Sequence, residues 1–192
     1  MSENKIDRIS FHVAEIMKIL SLDLRDPNFA ETPLRVAKMY LEIFGSLEAD
    51  REPEITTFPN DQQYSNMVTV KDIPFFSVCS HHLIPFFGTA HLAYVPDREI
   101  IGLSKLARIV EFYSKTPQIQ ERLTEQVIDF IEEKIRPIGC MVVLEARHLC
   151  MEMRGVEKPG ALTITSAVRG SFKNKIVREE FLDLLLLKRE RN

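Results

Sequence analysis

The chain has 192 residues, of which 45% are hydrophobic and 28% charged, with a formal net charge of −3. That length suits one domain with room for a helical extension, and the balance is ordinary for a soluble globular protein. So small a net charge exerts no general pull toward nucleic acid or membrane, and an anionic ligand would have to be held by a local basic cluster. Three cysteines are too few, and odd in number, for a disulfide framework. The start, MSENKIDRIS, lacks the apolar run of a signal peptide. No stretch approaches the roughly 18 apolar residues of a membrane span. The expectation is a cytoplasmic, reduced protein that binds neither nucleic acid nor membrane and whose thiols are available for chemistry.

In chain order, Ile6, Ile9, Val13, Ile16, Met17 and Leu20 recur at helical spacing. Thr32 and Pro33 read as the N-cap and first position of a second helix with Val36, Met39, Tyr40, Ile43 and Phe44 on one side. The polar stretch GSLEADREPEITTFPNDQQ then separates a helical region, 1–60, from the remainder, 61–192. MVTVKDIPFFSV and PFFGTAHLAYVP alternate as strands do. Two helices should follow. Ser104 would cap the first, with Leu106, Ile109, Val110 and Tyr113 inward. The second would run from about Pro117, with Ile119, Leu123, Val127, Phe130, Ile131 and Ile135 inward. CMVVLEARHLCM and ALTITSAVRGSF read as two more strands, and VREEFLDLLLLKRE as a closing helix. The order ββααββ predicts an α+β fold, an antiparallel sheet covered on one face.

In FFSVCSHHLIPFFG, a cysteine, a serine and two histidines interrupt an apolar run. Extended backbone puts Cys140, Val142, Leu144, Ala146, His148 and Cys150 on one face, ending in an imidazole and a thiol. Such groups need partners when buried. Cys79 and His82, three apart at a strand end, can converge on one ion through a turn. With Cys150 they make a Cys2His set that suits zinc and leaves a fourth position open. No second CxxC or HxxxH accompanies them, so spacing alone leaves a metal site and a set of buried polar residues equally open. Cys140 and His91 read as core residues and His12 as surface. His81 and His148 could move protons near pH 7 beside a metal that assists hydrolysis. Arg35 and Lys38 lie one helical turn apart, Lys105 and Arg108 repeat that spacing behind Ser104, and Arg154 follows Cys150. Each reads as a surface charge alone, or together they form a polyphosphate clamp.

CSHHLIPFFGTAHLAYVP, IIGLSKLARIVEFYSKTPQIQERLTEQV, EARHLCMEMRGVEKPG, TSAVRGSF and ETPLRVAKMY together resemble GTP cyclohydrolase I, in order from about Ile6 to Leu187. The resemblance implies the tunnelling fold: a four-stranded antiparallel ββααββ sheet with helices on one face, plus an N-terminal helical extension. It implies zinc on Cys79, His82 and Cys150, and proton transfer by His81 and His148. It places Ser104 in the ribose rearrangement, Arg35, Lys38, Lys105, Arg108 and Arg154 on the triphosphate, and Glu121 with Gln120 on guanine. A carboxylate at Glu121 that accepts two parallel donors from guanine would discriminate against adenine. The implied reaction hydrolyses GTP at C8 and rearranges it to 7,8-dihydroneopterin triphosphate and formate, the first step of folate and pterin biosynthesis. The implied assembly is a homodecamer of two pentameric rings with sites at subunit interfaces. The chain departs from the family's usual Cys-Glu-His-His at Ser80. Two other readings share part of the pattern. A tunnelling-fold relative acting on another pterin or deazapurine would lack the full residue set, and a non-catalytic zinc-stabilised nucleotide-binding ring has only Ser80 in its favour.

Overall fold

A computed structural model describes residues 2–48 and 52–187. The chain divides into two compact units, Met1–Ala49 and Asp50–Asn192. In the first, α1 (Ser2–Ile19) packs against α2 (Thr32–Ile43). Their contact is narrower than the apolar stripes predict: Met17, Pro33 and Ala37 are buried, whereas Ile16, Leu20 and Met39 are exposed. Two helices alone cannot enclose so wide a stripe. Thr32 begins α2 rather than capping it, and the cap position falls on Glu31, which makes no side-chain capping bond.

The second unit contains β1 (Thr57–Pro59), β2 (Val68–Cys79), β3 (Pro85–Val95), β4 (Glu99–Ile101), α3 (Leu103–Ser114), β5 (Pro117–Gln118), α4 (Gln120–Ile135), β6 (Gly139–His148), α5 (Leu149–Glu152), β7 (Leu162–Gly170) and α6 (Lys175–Leu186). β1 therefore belongs to this unit, although the expected boundary was residue 60; β1 and β4 pair as a separate antiparallel ribbon. The main sheet runs β5-β2-β3-β6-β7. Its four long strands are antiparallel and interrupted by α3 and α4, the ββααββ order of the tunnelling fold. β5 is an addition to the expected four strands: Pro117 and Gln118 pair parallel to Val78 and Cys79. α4 accordingly starts at Gln120 rather than near Pro117.

α3 and α4 cover one face. Leu106, Ile109, Val110, Leu123, Val127, Ile128 and Ile131 pack there with Leu92, Tyr94, Cys140, Val142 and Leu144. Each fully buried aliphatic side chain stabilises the fold by about 1.5–3 kcal/mol before entropy is counted. The alternate residues Ala93, Met141 and Val143 face the other way, against Phe172 and the α6 residue Phe181. One face is thus covered as expected, and α6 adds a smaller cover on the other. The Asn174 side chain caps α6 at its start by accepting from the Ile176 N–H, and Lys71 Nζ donates to the Leu184, Leu185 and Leu187 carbonyls at its end. The last residues of the expected closing helix, 188–190, lie outside the described residues. No described helix is long and apolar enough to cross a membrane.

Two features of β3 govern the site end of the sheet. Gly88 pairs with Ala146, and a Cβ on Gly88 would overlap the Glu145 carbonyl and Ala146 Cα. β3 and β6 can approach this closely only without that atom. His91, buried as expected, accepts the Asp72 N–H at Nδ1 (3.1 Å), inside a register irregularity where Asp72 has φ +58°. Its Nε2 lies 3.3 Å from Thr89 Oγ1. Burial lowers the His91 pKa and Lys71 adds to this, while Glu145 and Asp72 pull the other way.

Gly88→Ala should destabilise the protein by about 1–3 kcal/mol in urea denaturation; a variant as stable as the parent would show that the strands separate freely. Because the folded-state pKa of His91 lies below its unfolded value, its contribution is present above the unfolded pKa of about 6.5 and fades as pH falls through the folded value. His91→Asn, which keeps an acceptor for Asp72, should therefore lose less stability than the parent between neutral and mildly acidic pH. Parallel pH–stability curves would refute this.

Candidate metal centre

The β2–β3 connection folds back on Cys79. Its N–H donates to the Ile84 carbonyl (2.9 Å), and its own carbonyl accepts from Leu83 (2.9 Å) and His82 (3.4 Å). Leu83 takes the left-handed conformation, φ +52°, that this turn demands. The Ser80 N–H donates to the Gln118 carbonyl (2.8 Å), tying the turn to β5. The result places His81 Nδ1 at 3.7 Å and His82 Nδ1 at 3.9 Å from Cys79 Sγ.

The other half of the site comes from the end of β6. The extended face runs through His148 as expected, but Cys150 does not continue it: the chain turns into the short helix α5, and Cys150 sits in that turn. Its sulfur nevertheless joins the group, because the ligand atoms of Cys79, His82 and Cys150 all lie within 4.8 Å of one another. Cys79 is buried, Cys150 half-buried and His82 exposed, so the cluster opens to one side. Burial, and then the neighbouring Cys79 sulfur, push the Cys150 thiol up. The Arg154 charge opposes this, and a divalent cation beside the sulfur would reverse the balance. Two sulfurs and an imidazole suit zinc, and three protein donors leave a tetrahedral position free.

Around this cluster, Arg154 Nη1 donates to His82 Nε2 (3.0 Å). His148 lies opposite Phe86 in the β3–β6 register, and the two rings stack 4.6 Å apart at 3°. His148 Nε2 is 2.7 Å from Gln120 Oε1. Burial holds the His148 imidazole below its ordinary pKa, with the Glu121 carboxylate opposing. Glu121 is exposed in the first turn of α4, whereas Gln120 beside it is 2% exposed and bonded to protein groups. Phe86 and the Gln120–His148 bond were missed in the sequence reading. Register hid the first, but the second had a signal, since Gln120 occupies the same helical stripe as Leu123, Val127 and Ile131.

The remaining basic residues are less closely tied. Ser104, Lys105 and Arg108 occupy the first turns of α3, with Ser104 and Arg108 exposed. Ser104 is not the helix cap; Gly102 holds that position. Arg35 and Lys38 are exposed on α2 in the first unit, where Arg35 pairs with Glu31 (2.9 Å). Ser80 is exposed and outside the metal-ligand set.

The family model for GTP cyclohydrolase I matches residues 9–186. GTP cyclohydrolase 1 of Mycolicibacterium gilvum is 51% identical over 92% of this chain and 88% of its own. GTP cyclohydrolase 1 of Clostridioides difficile is 47% identical over 96% of this chain and 100% of its own. Among solved structures, the apo form of the archaeosine synthase QueF-Like covers 55% of this chain and 94% of its own at 15% identity, with a TM-score of 0.46. That likeness is too low to carry an argument. The family match and the close relatives each span nearly the whole chain, and the chain belongs to the GTP cyclohydrolase I family.

Proposed function

We propose that the protein is a zinc-dependent GTP cyclohydrolase I, a hydrolase of cyclic amidine C–N bonds. It converts GTP to 7,8-dihydroneopterin triphosphate and formate, in the cytoplasm, at the entry to folate and pterin synthesis. The observation that carries this reading is the convergence of Cys79, His82 and Cys150 beside His81, with His148 two residues before Cys150, in a chain of that family. Cys79, His82 and Cys150 would hold the zinc, which when bound lowers the pKa of a water to about 7 and supplies a nucleophile at neutral pH. His148, fixed in plane by Phe86, holds or delivers a proton at the purine nitrogen, and His81 acts nearer the ribose oxygen. Ser104 takes part in the ribose rearrangement.

Arg154 Nη1 donates to His82 Nε2. With Nδ1 held to a metal, His82 Nε2 would carry the proton and could not accept from Arg154, which would leave that guanidinium for a phosphate oxygen. Lys105 and Arg108, one turn apart on α3, would hold the triphosphate with Arg154, and Arg35 and Lys38 on α2 are further candidate phosphate contacts. Glu121 reads the guanine edge. The protein works as a homodecamer of two pentameric rings with shared sites. In support, the edge strand β7 exposes Leu162 and Ile164, and Phe76 is 73% exposed on β2.

Incubating zinc-loaded protein with GTP and oxidising the product should yield a fluorescent pterin. Metal removal by a chelator, or Cys150→Ala, should abolish the signal, with zinc restoring only the parent; undiminished turnover after metal removal, or no pterin from zinc-loaded protein, would sink the reading. Glu121→Gln should lower kcat/KM for GTP by about 10- to 100-fold, because a charge-assisted bond to guanine is lost. An unchanged value would remove Glu121 from substrate recognition.

A further inference from the structure

Gln120 is 2% exposed, and every polar atom of its side chain has a protein partner. Its Nε2 lies 3.1 Å from the Leu144 carbonyl, 3.0 Å from the Thr163 carbonyl and 3.1 Å from Thr165 Oγ1. Two of those partners are backbone carbonyls, which can only accept. The NH2 group must face them, and flipping the amide would set its oxygen against both.

The hydroxyl network agrees. Thr124 Oγ1 donates to the Gln120 carbonyl (2.8 Å), so the 2.7 Å contact between Thr124 and Thr165 has Thr165 as donor. Thr165 Oγ1 is then left to accept from Gln120. With the amide orientation settled, Gln120 Oε1 faces His148 Nε2 at 2.7 Å and can only accept. His148 Nε2 must therefore carry a hydrogen, and the neutral ring presents a bare Nδ1.

Together these contacts point to Gln120 as the positioning residue of His148: it selects the Nε2–H tautomer and turns Nδ1 into the working proton site. This differs from the direct guanine contact that the family resemblance implied, for which the buried amide has no free donor. Three strands of the sheet hold the device rigid. The donors of Gln120 anchor to β6 and β7, while Phe86 of β3 lies flat against the His148 ring. The polar core network is worth its burial only because it is completely satisfied.

The inference rests on the functional reading above only for what Nδ1 does, and its structural half is tested separately. In zinc-loaded full-length protein carrying nitrogen-labelled histidine, solid-state NMR near neutral pH should show His148 with a protonated Nε2 and a bare Nδ1. The His148→Ala variant identifies the signal. The opposite tautomer, or the mixture of a free imidazole, would overturn the assignment whether or not the protein turns over GTP. Kinetically, Gln120→Met should lower kcat by about 10- to 100-fold, as loss of an orienting partner does. GTP KM and zinc content should stay within about twofold, because ground-state binding is untouched. In the His148→Ala background the same substitution should cost almost nothing further, since its effect passes through that ring. A raised KM at unchanged kcat would make Gln120 a substrate contact instead. A full additional loss in the His148→Ala background would make its part merely structural.

Discussion

The site depends on the register between β3 and β6. Pairing Phe86 with His148 and continuing to Val95 with Gly139 sets which side chains reach the α3–α4 face. A slip of one residue would send Cys140, Val142, Leu144, Ala146 and His148 to the opposite face and dismantle core and site together. Small residues lock this register near the site: Gly88 opposite Ala146 lets the strands close, so that two pairs further on the Phe86 ring can lie on His148. The same alternation supplies Ala93, Met141 and Val143 to the smaller core under α6.

Two glutamines on either side of Ile119 divide the work of joining helix to sheet. Gln118 offers its carbonyl to Ser80 and its side-chain amide to Tyr113, Thr116 and Gln126, which anchors the histidine-bearing turn. Gln120 faces the other way and anchors the end of β6. One short segment therefore braces both halves of the metal cluster. Buried amides of this kind cost free energy unless fully bonded, and both are. Further along α4, Arg169 of β7 meets Glu125 and Asp129 at 2.6 Å each, a more exposed tie between the same helix and sheet.

Electrostatics explains why the centre suits a cation. Burial and the adjacent sulfur raise the Cys150 thiol, and burial likewise disfavours a charged His148. A divalent ion between the sulfurs would favour the Cys150 thiolate and disfavour a charged His148 still further. Ser80 stands outside this arrangement: its side chain is exposed and only its backbone N–H is engaged, with Gln118. The departure from the family's usual acidic residue thus falls at the rim and leaves the ligand set intact.

Much of this was legible in the sequence because it is local or periodic. Alternation marked the four long strands, the 3.6-residue rhythm marked α3 and α4, and the CSHH and HLC motifs named the three residues whose ligand atoms cluster. Where the reading failed, the deciding contact was distant in sequence. Cys150 leaves the strand for a helical turn, yet its sulfur still reaches Cys79. Pro117 and Gln118 become a strand because Val78 and Cys79 offer an edge. Whether Gln120 meets a ligand or the protein depends on carbonyls of β6 and β7 that no spacing in α4 reveals. By itself the sequence determined the order of elements, for which residue type and period suffice, and its motifs nominated three candidate metal donors without deciding that they meet. Only the tertiary structure decided strand register, side-chain partners and the tautomer of His148, because those follow from which backbone groups long-range packing brings within hydrogen-bond distance.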